Sequence, residues 1–433
     1  MIIYVVQSGD TIASIAKQFD VSEMRLISDN GVTHPNDLVI GQTIVIGEPL
    51  ETYTVKEGDT LSDIAFDHGT TIMQLYRNNP FLWDQEYIIP GEELIISYDT
   101  KATIATNAYA FPYINPKILQ RTLPYLTYLS ILNYRTLKGG DIESYYDDTR
   151  LVEMAKQFGV APLMLLAGIN FRGERNPQIV YDILINPEYQ IRHANSMLKV
   201  MKEKGYFGVN ITITYLNVAN QELYLNYFKR ITPILNKEGY SVFVSIDPNY
   251  TNEKDQIVFE KVDYSPYNDI ISEAYLTRLF WGTQYGPPKP VDSVQNISLY
   301  VDYMKEMIEP SKINIGFPLL GYDWTLPYVE GFSVANAITL DAAIELARTM
   351  NATIQFDEVS TTPYFEYKVK EKESEYHHIV WFADARTIEA IINVTIEKGL
   401  HGTGLWNIMS YYPQLWLMIN GTCKIEKVLP ELP

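Results

Sequence analysis

The chain has 433 residues, too many for one ordinary core, and a length prior of about one domain per 150 residues allows two or three. Its formal net charge of -19 and pI near 4.8 exclude nucleic acid and anionic membrane as expected partners, because polyanions repel such a surface, and leave neutral glycans open. A single cysteine, Cys423, rules out an intrachain disulfide; no apolar run approaches the ~20 residues of a membrane-crossing helix, and no residue pattern asks for a metal or cofactor.

The chain opens on Met1-Ile2-Ile3-Tyr4-Val5-Val6-Gln7, without a basic start or a long apolar stretch, so the expectation is a first strand and no signal peptide. Two tandem repeats follow. Tyr4-Val5-Val6-Gln7-Ser8-Gly9-Asp10-Thr11-Ile12 aligns without gaps on Tyr53-Thr54-Val55-Lys56-Glu57-Gly58-Asp59-Thr60-Leu61. In each, a strand ends at Gly, the Asp-Thr pair is expected to cap a helix, and Ile12, Ile15 and Ala16 give its buried stripe. Second helices are expected at 23–28 and 72–77, each ending in a polar turn at Asn30 or Asn78-Asn79-Pro80, with closing strands after Ile40-Gly41 and Pro90-Gly91.

This βααβ repeat resembles the LysM module, which implies binding of N-acetylglucosamine-containing glycans such as peptidoglycan or chitin. The expected modules are residues 1–48 and 51–98. By position, the resemblance implies a groove lined by Gly9, Asp10, Thr11, Ile12, Asn30 and Val39 in the first, and by Gly58, Asp59, Thr60, Leu61, Asn78 and Ile89 in the second. The first departs from the usual closing Pro-Gly by having Ile40-Gly41.

From residue 102 to 433 strands alternate with helices, the pattern of a parallel sheet with crossover helices. Eight strands are expected, at 104–110, 126–133, 161–167, 207–215, 240–246, 270–276, 312–318 and 402–408. Eight such units imply an α/β fold of the (β/α)8 TIM barrel type, whose site lies at the C-terminal strand ends.

The fourth strand carries the functional question. Phe207, Val209, Ile211, Ile213 and Tyr215 alternate with Asn210, Thr212 and Thr214, which share the other face. It resembles the fourth barrel strand of glycoside hydrolase family 18, the chitinase-like enzymes, whose Asp-x-x-Asp-x-Asp-x-Glu pattern falls here on Phe207, Asn210, Thr212 and Thr214. Segments such as Asn107-Ala108-Tyr109-Ala110-Phe111-Pro112 and Gly321-Tyr322-Asp323-Trp324 are similar to spore cortex-lytic N-acetylglucosaminidases of endospore-forming bacteria. That resemblance also implies a small α+β insertion at about 323–382.

In that family the final Glu of the pattern protonates the leaving oxygen, the Asp before it orients the substrate's acetamido group, and a Tyr after strand six clamps that group. The corresponding residues are Thr214, Thr212 and Leu279, the last by alignment on Trp281-Gly282. Threonine has no proton to donate near neutral pH, so the resemblance implies a barrel that has lost its catalytic residues and a general acid worth about 10² to 10⁴ in rate. Replacement carboxylates would have to come from Asp247, Glu222 or Glu273, the last about 13 Å below the cleft at ~3.3 Å per residue. Sugar contacts implied by the family are Trp406, Asp323, Trp324 and Tyr134. Three readings stay open: a glycan-binding spore or cell-wall protein with a degenerate barrel, an active N-acetylglucosaminidase using displaced groups, and a structural scaffold whose partners are spore coat proteins. All three place the protein in the spore coat, the cortex or the cell wall.

Overall fold

The alternating segments close into a barrel. The structure is a computed structural model, and it describes residues 1–167, 177–213, 216–253, 256–277, 283–291, 293–371 and 374–431. Eight parallel strands, Ala102–Ala110, Tyr128–Thr136, Ala161–Leu166, Gly208–Ile213, Ser241–Ile246, Glu273–Leu276, Ile313–Pro318 and Gly402–Trp406, pair in sequence order, and the eighth returns to the first. On the fourth, Val209, Ile211 and Ile213 face outward into the apolar layer under the helices, while Asn210 faces inward. The period of two thus separates an oily outside from a polar inside.

Between strands seven and eight lies the α+β insertion. Its sheet runs Asn336–Ile338, Gly321–Leu326, Ser374–Trp381, Thr362–Glu371, Gln355–Asp357, each pair antiparallel, and helix Leu340–Thr349 follows the first of these strands in the chain. Features that escape the strand reading include a short strand, Ile142–Ser144, antiparallel to the second barrel strand, a hairpin, Tyr250–Glu253 with Gln256–Phe259, after strand five, and a short strand, Cys423–Ile425, parallel to the first barrel strand.

Each N-terminal repeat folds as expected, with antiparallel pairs Ile2–Val5 with Thr43–Ile46 and Pro49–Thr54 with Glu93–Tyr98, but its cap differs. Thr11 and Thr60 cap their helices, accepting from the amides of Ser14 and Asp63, both at 3.1 Å. Asp10 and Asp59 do not. Asp10 accepts from Tyr4 Oη and the Gln7 amide, both at 2.7 Å, and Asp59 from Tyr53 Oη at 2.8 Å and the Lys56 amide at 2.7 Å. The carboxylate closes the strand-to-helix turn one residue before the cap, leaving the helix to its threonine.

The repeats are bolted to the barrel. Helix Pro413–Thr422 lies against both: Gln414 donates to Asn30 Oδ1 at 3.0 Å and to Thr43 O at 2.7 Å, and Asn420 donates to Asn78 Oδ1 at 2.8 Å. Arg77, 7% exposed, pairs with Glu431 and donates to Pro124 O at 3.0 Å. Arg25 joins the two repeats by donating to Asn78 O at 2.6 Å and Asn79 Oδ1 at 3.1 Å.

Candidate functional site

The barrel interior is layered. Deepest is Glu273, 6% exposed. It accepts from Tyr128 Oη at 2.9 Å, Tyr275 Oη at 3.1 Å and Asn314 Nδ2 at 2.9 Å, and His401 Nδ1 lies 3.0 Å from its Oε2. Its lone pairs are engaged at the closed end of the barrel, so it is a structural carboxylate rather than a stand-in acid. Above it, Asn210 donates to Ser130 Oγ at 3.1 Å and accepts from Ser245 Oγ at 2.8 Å. Ser130 donates to Asn107 at 3.0 Å, and Tyr109 Oη sits 2.8 Å from Ser245 Oγ. This layer is built of neutral amides and hydroxyls. Burial pushes the Tyr109 phenol up to about 12, so it stays protonated at neutral pH.

One pleat higher stands Thr212, half-buried and in register with Ser245 of strand five. Thr214 and Leu279, the other two positions implied to be degenerate, lie outside the described residues, as do Trp281 and Gly282. Asp247 follows strand five and accepts from Thr277 Oγ1 at 2.6 Å; Glu222 is exposed at the start of helix Gln221–Lys237.

The sugar contacts implied for the barrel divide. Trp406 is half-buried at the mouth, its ring 5.4 Å from Tyr109 and 6.4 Å from Phe111. From there an aromatic series leads outward: Phe111 stacks on Tyr113 at 5.3 Å, and Tyr113 meets Tyr146 edge-on at 6.0 Å. Sequence reasoning did not single out this series, although the alternation of 109, 111 and 113 was a signal for it. Tyr134 points away from the cleft: it is 2% exposed and its hydroxyl donates to buried Asp148 at 2.5 Å. Trp324 is 1% exposed and donates to Gly286 O at 3.2 Å, which makes it core. Asp323, 7% exposed, is held by Tyr367 Oη at 2.8 Å and lies 3.0 Å from His378 Nδ1.

In the repeats, Gly9, Gly58 and Thr60 are exposed, Asp10, Asp59, Thr11 and Leu61 are half-buried, and Ile89 is open to solvent. Ile12 is fully buried in its own module, and Val39 is packed into the barrel-side core. Asn30 turns inward, donating to Leu26 O and Val45 O and accepting from the Val45 amide. Its counterpart is Asn79, not Asn78: Asn79 makes the same three bonds to Leu75 and Ile95. The doublet Asn78-Asn79 offered two registers, and only the cross-strand bonds distinguish them. Asn78 instead donates to Ile96 O and meets Asn420. Asn30 and Asn78 are therefore interface residues rather than lining of the implied groove, whereas Val39, though packed in the core, also lines it.

Two small modules clamped to a (β/α)8 barrel, with a polar interior and an aromatic mouth, define a protein of carbohydrate-directed architecture. The chain belongs to glycosyl hydrolases family 18, whose model matches residues 148–410, and the LysM domain model matches 4–47 and 53–97. It is 30% identical to a cortical fragment-lytic enzyme of Bacillus subtilis over 99% of both chains. It is 27% identical to the putative sporulation-specific glycosylase YdhD of the same species, over 96% of this chain and 98% of the relative. Among solved structures it is similar to the Bacillus megaterium spore cortex-lytic enzyme SleL, with a TM-score of 0.80, 31% identity and 99% of both chains covered.

Proposed function

We propose that this protein binds N-acetylglucosamine-containing peptidoglycan in a spore or cell-wall layer and that its family 18 barrel holds glycan without cutting it. The observation that supports this reading is Thr212, half-buried on strand four in register with Ser245, where the family resemblance calls for the Asp that orients the acetamido group. Glu273, the carboxylate buried deep in the same barrel, is fully engaged elsewhere. Trp406 and the Phe111–Tyr113 stack supply apolar faces for sugar rings without supplying a proton donor. The names of the relatives, cortex-lytic and glycosylase, favour a second reading, an active glycosidase using displaced groups such as Asp247 or Glu222.

Binding is tested on purified cortex or cell-wall sacculi. The expected outcome is that the full chain sediments with the sacculi and is displaced by soluble N-acetylglucosamine oligomers. A chain that stays in solution would remove the glycan-binding reading and favour a scaffold that contacts other proteins.

A further inference from the structure

A groove of about 290 Å³ opens beside the first module, and the module supplies only part of it. Gly9 and Thr11 form one side, the loop 36–40 the floor, and the turn after the insertion helix the facing wall, with Arg348, Asn351 and Thr353. That wall is rigidly placed. The Ile354 amide donates to Ile40 O at 2.9 Å. Gly41 has φ 86°, and a Cβ there would stand 1.9 Å from Ile354 O, so only glycine admits the contact. Arg386, its guanidinium 4.0 Å from the Phe356 ring centroid, donates to Gly41 O at 3.4 Å. Helix Leu340–Thr349 stops in a left-handed turn, with Asn351 at φ 48° and the Ala352 amide returning to Ala347 O at 2.8 Å, and this leaves Asn351 and Thr353 exposed.

Among the described residues the second module has no such wall at its closing turn: a Cβ added at Gly91, the counterpart of Gly41, would meet nothing within 4 Å. Two grooves of common ancestry in the repeat therefore differ in construction: one stands free, and the other is walled by the barrel.

The chemistry of the walled groove is polar and carries more carboxylate than cation, with Asp10, Asp37 and Glu345 against Arg348. Asp10 is already engaged by Tyr4 and Gln7. Arg348 is offset by two carboxylates, Glu345 at 3.0 Å and Asp37 at 3.3 Å. Asn36, Asn351, Thr11 and Thr353 present amide and hydroxyl groups, which match the hydroxyls and acetamido groups of a sugar chain and offer no unpaired cation to an acid.

We propose that the first LysM module and the barrel insertion together form one composite site for a neutral N-acetylhexosamine strand, separate from the free-standing groove of the second module. This rests on the glycan-binding reading above. It also accounts for the departure from Pro-Gly at Ile40-Gly41, where the closing turn serves as a seam with the barrel.

Hydrogen exchange of the full chain, titrated with an N-acetylglucosamine hexamer, tests it. The expected result is slowed exchange at 9–12 and at 348–353 together, in addition to 58–61. Thr353→Trp, a crowding change at an exposed position, abolishes the slowing at both 9–12 and 348–353 and leaves 58–61 protected. Asn351→Gly, which keeps the positive φ, raises the sugar concentration for half-protection at that site about three- to tenfold, the effect of one lost hydrogen bond. Protection of 9–12 without 348–353, or protection unchanged by Thr353→Trp, overturns the composite site while leaving the second module's glycan binding intact. A hexamer alternating uronic acid with N-acetylglucosamine that protects the site at lower concentration overturns its neutral preference. Loss of protection at all three segments in the unaltered chain overturns the underlying glycan reading as well.

Discussion

Whether a buried titratable group serves chemistry or structure is decided by its partners, and two histidines illustrate this with opposite signs. His193 is buried between Tyr227 Oη at 2.9 Å and Thr136 Oγ1 at 3.2 Å, and burial alone pushes its pKa down to about 4. Folding therefore favours its neutral form. Its contribution is complete above the unfolded value of about 6.5 and is lost as pH falls toward 4, a change on the order of 3 kcal/mol at most. For His401, burial pulls the pKa down, but hydrogen bonds and charge from Glu273 and Glu426 outweigh it and hold the group above its ordinary value. Its contribution is complete below about 6.5 and is lost as pH rises through the raised value. Thermal melts across pH should thus peak near neutrality. His193→Gln is expected to flatten the acid limb and His401→Gln the alkaline one; limbs unchanged by either substitution would refute the assignment. Glu273 belongs to the same structural network, which is why its position inside the barrel is no sign of catalysis.

At the scale of elements, the eight strands were legible because β-branched and aromatic runs of the right length were separated by helical patterns, and the insertion was legible from its resemblance. Thr212 was legible as an inward residue from the period of two in strand four. The roles of Asn30 and Asn78 were not, because their partners lie across strands or hundreds of residues away in sequence; that of Asp10 was not because Thr11 beside it offers the same capping chemistry. Tyr134 and Trp324 were misplaced for a related reason: a family position names a residue type, while the neighbours Asp148 and Gly286 decide which way the side chain turns. The docking of helix Pro413–Thr422 on the repeats had no local signature either. It rests on Gln414, 4% exposed, whose amide nitrogen donates to Asn30 and Thr43 and whose carbonyl oxygen accepts from Tyr412 Oη at 2.8 Å. Gln414→Ala leaves Thr43 O and Tyr412 Oη without these partners, so unfolding free energy should fall by about 1 to 3 kcal/mol. Denaturant titration of the full chain measures this; a midpoint unmoved by the substitution would mean that the modules dock through apolar contact alone.

For the whole molecule, Arg25 between the repeats and the clamp of the final helix hold the two LysM modules and the barrel mouth in a fixed relation. In the proposed account such a frame presents several sugar-facing surfaces to one polymer, so that weak contacts reinforce each other by raising effective concentration. The net charge of -19 disfavours polyanionic partners and is compatible with a glycan. In the proposed account the barrel contributes retention to this frame, because Thr212 stands where the family has its acetamido-orienting Asp and the neutral Asn210 layer lies beneath it.

The central claim is therefore tested most directly by product release. The full chain is incubated with purified cortex fragments and with N-acetylglucosamine oligomers from pH 4 to 8, and new reducing ends are counted over many hours. The account predicts none above the buffer control, with the oligomers recovered at their original length. Steady release of shorter products, lost on Asp247→Asn, would contradict it and identify an active glycosidase with a displaced acid.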